Sequence, residues 1–406
     1  MEVVPAGVRN LFRAALVTFV ITVVIGILNG TDIWDPPRDT LLTHVHAGTL
    51  GWITLSVFAG AIWMLDGESA GPTRNLANFS IIAMSLYVLA FWSGDLLGTT
   101  ESIQRPIGGT LAFVAIVWMF AWALRARRGQ RWTVAEFGMG LSLLFLLLGA
   151  ILGVLLGLQL ADVEVVAPEN AGRLGEAHPA AMVIGYVVLA MLALIEWRIR
   201  GDAVPAMGEA RAGVVQMVLM FLAGLFGMLG FLLDIEGLLL VSTPFQVIGL
   251  LIFLWRMRSE LAPARWRGPV RGVMLRTAIL GLVAAVVLTA LIVNKFVSGG
   301  EDEEALFAEI LPFILALDHT TFILVVTNVI FAMLAAMSGV RERANDWIFY
   351  GTNIGAAGFV VGLLTESAIL KRIFTPLLGL ALLYGIWVYI TASPVGSELE
   401  ESSQVT

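Results

Sequence analysis

The chain has 406 residues, of which 58% are hydrophobic and only 14% are charged, and its mean hydropathy is +0.89. Soluble domains contain about a quarter charged residues, so this composition indicates an integral membrane protein in a lipid bilayer and gives no sign of a nucleic-acid partner. The absence of cysteine excludes disulfides, thiolate metal sites, Cys-ligated iron–sulfur clusters and covalent CxxCH haem attachment.

Twelve apolar runs of about 20 residues follow one another, which is the length that a helix needs to cross a bilayer. The predicted spans are 12–28, 41–64, 78–98, 106–125, 135–160, 178–198, 213–233, 237–256, 273–294, 316–337, 346–365 and 374–391. The stretch 305–315 contains Pro312 and follows an acidic run, so we predict a separate short interfacial helix there. No long linker divides the chain, which predicts one all-α transmembrane domain over 1–406 with a flexible cytoplasmic tail over 393–406.

Charge along the chain predicts the orientation. Most of the 24 Lys and Arg residues lie in loops that are cytoplasmic if the N-terminus is inside, whereas outer loops carry acidic residues such as Asp35 and Glu164. Basic residues favour the cytoplasmic side, so both termini are predicted to lie in the cytoplasm beneath a bacterial-type plasma membrane. Lys371 and Arg372 depart from this rule, because they lie in the outer loop between spans eleven and twelve. Contact with lipid head groups is one reading of this pair.

The chain contains four histidines, namely His44, His46, His178 and His319. Each lies near the outer start of a span, and the three spans concerned are the second, sixth and tenth. His178 follows His44 by 134 residues, and His319 follows His178 by 141 residues. One or two histidines near helix ends can simply reach toward interfacial water, but this recurrence on every fourth helix favours a shared site.

An internal repeat accompanies the histidines. The segment HVHAGTLGWITLSVFAGAIW can be aligned with HPAAMVIGYVVLAMLALIEW, which places His44 on His178 and Gly51 on Gly185. A third copy, beginning at His319, is weaker. We therefore predict three pseudo-symmetric groups of four helices, with spans two, six and ten innermost.

Histidine inside a membrane span is costly, and imidazole is the commonest protein ligand of haem iron and copper. Gly48 and Gly51 beside His46 would let a flat ring approach the backbone. His44 and His46 point about 200° apart on a helix, so they cannot easily share one metal ion. One of them is therefore predicted to face a haem and the other a neighbouring site or a hydrogen-bond partner.

These motifs resemble the catalytic subunit I of haem–copper oxidases, including the nitric oxide reductase branch and NnrS-like membrane proteins. In that superfamily a haem axial histidine followed by Ala lies on helix two, which His46-Ala47 would match. A copper-ligating His-Pro begins helix six, as in His178-Pro179, and helix ten carries haem ligands, for which His319 is available. The resemblance implies a non-covalent b-type haem on His46 and His319, with copper as a further candidate.

The superfamily also places an adjacent basic pair between helices eleven and twelve to hold the haem propionates, and Lys371-Arg372 occupy that place. Three departures argue against a complete copper-containing centre: span seven lacks a His pair, helix ten has one His where the superfamily has His-x-His, and Met182 stands where oxidases have Tyr. The resemblance therefore implies a haem protein linked to redox chemistry, nitric oxide or oxygen, with or without enzymatic turnover and with an electron donor or partner subunits. A secondary transporter of a small solute is the alternative.

Overall fold

The computed structural model describes residues 4–66, 71–97, 103–167, 170–299 and 303–392. Within these ranges twelve helices are long and apolar enough to span a membrane. They are α1 (Ala6–Gly30), α2 (Arg38–Leu65), α3 (Thr73–Ser93), α4 (Gln104–Ala126), α5 (Val134–Gln159), α6 (Ala171–Ala203), α7 (Arg211–Leu233), α8 (Glu236–Met257), α9 (Val270–Phe296), α10 (Glu304–Met337), α11 (Glu342–Leu364) and α12 (Ala368–Thr391).

The same residues form no β-strand, and their only bridge joins Thr133 to Ala206. The predicted all-α, twelve-helix, multi-pass membrane protein is therefore confirmed. The predicted tail over 393–406 lies outside the described residues.

Helices α2, α6 and α10 form the centre of the bundle. Between 72% and 89% of their most apolar segments is buried by other helices, against 28–50% in the other nine membrane helices of the described chain. A helix that is apolar on all sides is stable only when protein or lipid surrounds it, and α2, α6 and α10 are surrounded by the other helices of the protein. The predicted inner positions of the second, sixth and tenth spans are thus confirmed.

The nine outer helices repeat one packing pattern in each group of four. The third and fourth helices of a group lie along each other, as α3–α4, α7–α8 and α11–α12. The first helix of each group packs on the inner helix of the same group, and α12 returns to pack on α1. The outer ring is therefore closed, and each inner helix is enclosed by its own group and its neighbours.

Each inner helix contains a π-helical segment at an equivalent place, namely Ala47–Thr54 in α2, Ala181–Val187 in α6 and Thr320–Thr327 in α10. In a π-helix the backbone hydrogen bonds join residues five apart, and such segments are rare and frequent at functional sites. Aligning the three groups on the first π residue places His46 and His319 directly before the segment, and His44 and His178 three residues before it.

The inner helices are joined by side-chain hydrogen bonds where they meet. Trp52 Nε1 donates to Thr327 Oγ1 (3.3 Å), and Tyr186 OH donates to Thr54 Oγ1 (3.3 Å). Both bonds connect the same two aligned positions on successive inner helices. At the third junction those two positions are held by valines, Val325 and Val188.

The predicted separate interfacial helix over 305–315 is wrong, because these residues form the first part of α10. Pro312 lacks only one backbone donor, a loss that helices in membranes tolerate when neighbouring helices support them. The support comes from α9, where Lys295 pairs with Glu309 and lies 5.1 Å from the centre of the Phe313 ring.

Candidate functional site

Two histidines are held by the helix that precedes their own inner helix. His44 Nδ1 lies 2.8 Å from the carbonyl oxygen of Thr22 in α1, and His178 Nδ1 lies 2.9 Å from that of Gly149 in α5. A carbonyl oxygen can only accept a hydrogen bond, so Nδ1 carries the proton in both rings.

The other two histidines bond within their own helices. His46 Nδ1 lies 2.8 Å from the carbonyl oxygen of Leu42, and His319 Nδ1 lies 2.7 Å from that of Leu315. Protonated Nδ1 leaves the lone pair of a neutral imidazole on Nε2 in all four rings. A backbone acceptor on the second ring nitrogen is the usual arrangement of a histidine that binds a metal through Nε2.

Glycines keep space free beside the rings that bond to a neighbouring helix. A Cβ atom at Gly26 of α1 would lie 3.1 Å from His44 Cε1, and one at Gly153 of α5 would lie 2.9 Å from His178 Cε1. Each glycine lies four residues after the carbonyl that accepts the Nδ1 proton. Sequence analysis missed both glycines, because their equal offsets are measured from acceptor carbonyls that only the structure identifies.

The four rings form two pairs between helices. His44 of α2 and His319 of α10 line one cavity. His46 lies against Phe91 of α3 and His178 against Gly149 of α5, so these two rings belong to the interface between the first and second groups. Helix α2 therefore contributes one histidine to each pair. This division agrees with the opposite directions of positions 44 and 46 on one helix.

A cavity of about 420 Å³ lies between α1, α2, α10, α11 and α12. Small-molecule pockets typically measure about 300–1,000 Å³ and combine an apolar lining with a few polar groups. His44 and His319 both line this cavity, as do Gly48 and Lys371. We call it the His44–His319 cavity.

Three residues predicted to bind a haem in this region do not line the cavity, namely His46, Gly51 and Arg372. A Cβ at Gly51 would overlap the side chain of Thr18, so this glycine lets α1 and α2 pack closely. Arg372 Nε donates to Asp32 Oδ2 (3.0 Å) at the protein surface. His44, rather than the predicted His46, accompanies His319.

Lys371 lies at the N-terminal end of α12, where its side chain contributes to the cavity lining. Within the described part of the chain no ion-pair partner of Lys371 is found. The lining of the cavity is mainly apolar but also contains the carboxyl groups of Asp32 and Asp318. Lys371 supplies a positively charged group at the edge of the cavity, which is suited to an anionic substituent of a bound molecule.

Across the described residues, no group of three or more His, Asp or Glu side chains is arranged to hold a metal ion. The four histidines are instead arranged as two pairs. Two imidazoles are the number that a haem iron accepts on its axial positions, because the macrocycle supplies the other four nitrogen ligands.

No protein-family model matches the chain, and no curated protein matches it.

Proposed function

We propose that the chain is a membrane haem protein that carries electrons, with a non-covalent b-type haem bound in the His44–His319 cavity. The observation that carries this proposal is the pairing of two imidazoles across one cavity, each with Nδ1 bonded to a carbonyl and Nε2 left for a metal. The resemblance to haem–copper oxidase subunit I points to the same cofactor. Its assignment of His46 is replaced here by His44.

The choice of electron transfer follows from the number of ligands. When bound, the haem supplies an iron that accepts and returns one electron. His44 and His319 would occupy both axial positions, which leaves none for oxygen or nitric oxide unless one imidazole is displaced. The pair thus favours redox carriage over a gas-binding or oxygen-reducing centre.

The cavity edge is suited to the propionates of a haem. Lys371 offers an ammonium group there, whereas Arg372 is already paired with Asp32. Gly48 lines the cavity on α2, and a Cβ there would lie only 3.3 Å from Thr22 Cγ2, so this glycine accommodates the side chain of Thr22 from α1. We propose that the propionates point outward, toward Lys371.

The orientation belongs to the same proposal. With both termini in the cytoplasm of a bacterial-type plasma membrane, the four histidines lie toward the outer face. An electron donor or a partner subunit is then required to reach the haem from that side. The threefold arrangement of helix groups gives less support to a transporter, because carriers commonly consist of two inverted halves that rock against each other.

The proposal is tested by an absorption spectrum of the full chain, purified in detergent after expression with a haem precursor. We expect the sharp α and β bands of a low-spin, bis-histidine haem after addition of dithionite, together with a six-coordinate spectrum that carbon monoxide changes little. Protein that contains no haem under these conditions would overturn the proposal. A five-coordinate haem that binds carbon monoxide fully would overturn the assignment of two axial histidines.

The Lys371→Met variant is expected to retain haem about tenfold less tightly, because it loses one charge-assisted hydrogen bond at a partly exposed site. Methionine preserves much of the aliphatic volume of lysine. The measurement is the rate of haem transfer to apomyoglobin. Arg372→Met is the matched control and should behave like the wild type, since Arg372 does not line the cavity and is already bonded to Asp32. Equal loss rates in Lys371→Met and wild type would contradict this role.

A further inference from the structure

The pseudo-symmetry of the bundle relates two interfaces between helix groups. The His44–His319 cavity lies where the third group meets the first, between α10–α12 on one side and α1–α2 on the other. His46 and His178 belong to the interface where the first group meets the second, because His46 stacks on Phe91 of α3 and His178 bonds to Gly149 of α5. We call these two residues the His46–His178 pair. The helices that surround the two pairs are therefore equivalent, one by one.

The histidines occupy equivalent positions as well. Each pair combines one ring directly before a π segment, His46 or His319, with one ring three residues before a π segment, His178 or His44. At the remaining interface, between the second and third groups, the same two positions are held by Ala180 and Leu317.

The fixed sides of the two pairs are built alike. His178 bonds to the carbonyl of Gly149 and lies against Gly153, which repeats the arrangement of His44 on α1. Both rings therefore have the same protonated nitrogen, and both present Nε2 as a free ligand atom.

Aromatic rings support the other member of each pair. His46 stacks on Phe91 of α3, with ring centres 3.9 Å apart and planes 16° apart. His319 meets Phe359 of α11 edge to face, with ring centres 4.8 Å apart. Tyr87 of α3 also meets the His46 ring in a T-shaped arrangement, with ring centres 5.5 Å apart.

A basic residue again lies at the outer end of the fourth helix of the group. Arg105, near the start of α4, is in the place that Lys371 takes near the start of α12. The side chain of Arg105 is 10% exposed, pairs with Asp39 and lies 5.1 Å from the centre of the Phe91 ring. Its buried Nε has no hydrogen-bond partner among the described residues, so one donor remains for an anion.

We propose that His46 and His178 are the axial ligands of a second haem, whose propionate accepts a hydrogen bond from Arg105. This inference rests on the proposed function of the first cavity, because it transfers the same ligand geometry to the equivalent interface. The two haems would share α2, with His44 facing one and His46 the other. Two centres at one depth on a common helix would allow an electron to pass between them along the membrane plane.

The test is the ratio of haem to protein in the purified full chain, from the pyridine haemochrome and quantitative amino-acid analysis, with metals measured by mass spectrometry. We expect two haems per chain in the wild type. His178→Ala should leave one, and so should His178→Asn, whose amide can still donate to the carbonyl of Gly149 and so preserves the helix contact. Leu317→Ala, at the interface without histidines, is the matched control and should leave two.

The outcomes separate the two proposals. One haem per chain that survives in His178→Asn and disappears in His44→Asn would overturn the second site and leave the first intact. One haem that disappears in His178→Asn and survives in His44→Asn would overturn the first site. One haem together with a copper ion that His178→Asn removes would overturn the haem identity of the second site.

Discussion

Replacing His319 with alanine is expected to abolish the low-spin bands of the haem in the His44–His319 cavity and to weaken its binding by at least about 100-fold. Loss of a group that only supports a metal ligand already costs about 10–100-fold in affinity, and His319 is proposed as a ligand itself. Its Nδ1 bonds to Leu315 in the same helix, so its removal breaks no bond between helices. The measurement combines the reduced-minus-oxidised spectrum with haem titration of the apoprotein.

His46→Ala is the control for this variant, because His46 likewise bonds only within its own helix, to Leu42. The His46→Ala variant should retain the haem in the His44–His319 cavity. If His46→Ala removes that haem and His319→Ala does not, the pairing of ligands proposed for the cavity is wrong.

Replacing Glu196 with alanine is expected to lower the free energy of unfolding by about 3–5 kcal/mol, because it leaves a buried guanidinium without a counter-charge. Glu196 in α6 is 0% exposed and Arg256 in α8 is 6% exposed. Arg256 Nη1 donates to Glu196 Oε2 (3.0 Å) and also to the buried Gln216 Oε1. Unfolding in mixed micelles with increasing dodecyl sulfate, followed by tryptophan fluorescence, measures the loss.

Two variants serve as controls for Glu196→Ala. Glu196→Gln keeps an oxygen acceptor for Arg256 and should lose less stability. Arg173→Ala breaks the exposed pair with Asp234 (2.7 Å) and should change stability by less than about 1 kcal/mol. Equal stability of Glu196→Ala and the wild type would show that the buried pair contributes nothing.

Much of the architecture could be predicted, because the length of each apolar run and the spacing of the histidines can be read directly from the sequence. An apolar run of about 20 residues has few folded states other than a spanning helix. The recurrence of His44, His178 and His319 on every fourth span identified the inner helices, since a strongly coordinating group faces protein rather than lipid. The prediction failed at 305–315, where Pro312 and the acidic run before it indicated a separate interfacial helix but the residues begin α10.

The partners of each histidine could not be predicted, because the π segments change the direction of the helix faces. An α-helix turns by 100° per residue, but a π-helix turns by less, because its hydrogen bonds join residues five apart. The α-helical angle therefore gives the wrong direction for side chains within the π segment, such as positions 48 and 51. Nothing in the sequence marks the start of a π segment at Ala47. The choice between His44 and His46 as the neighbour of His319 therefore needed the three-dimensional arrangement.

The π segments also bear on the ancestry of the chain. A π-helical turn holds one more residue than the α-helical turn that it replaces, so each segment behaves as an insertion. The segments begin at equivalent residues, Ala47, Ala181 and Thr320, in all three groups. Separate origins would require three matching insertions, whereas one insertion in a single four-helix ancestor, copied twice and fused, accounts for all of them. The histidines, which differ among the three copies, then record divergence after the copying.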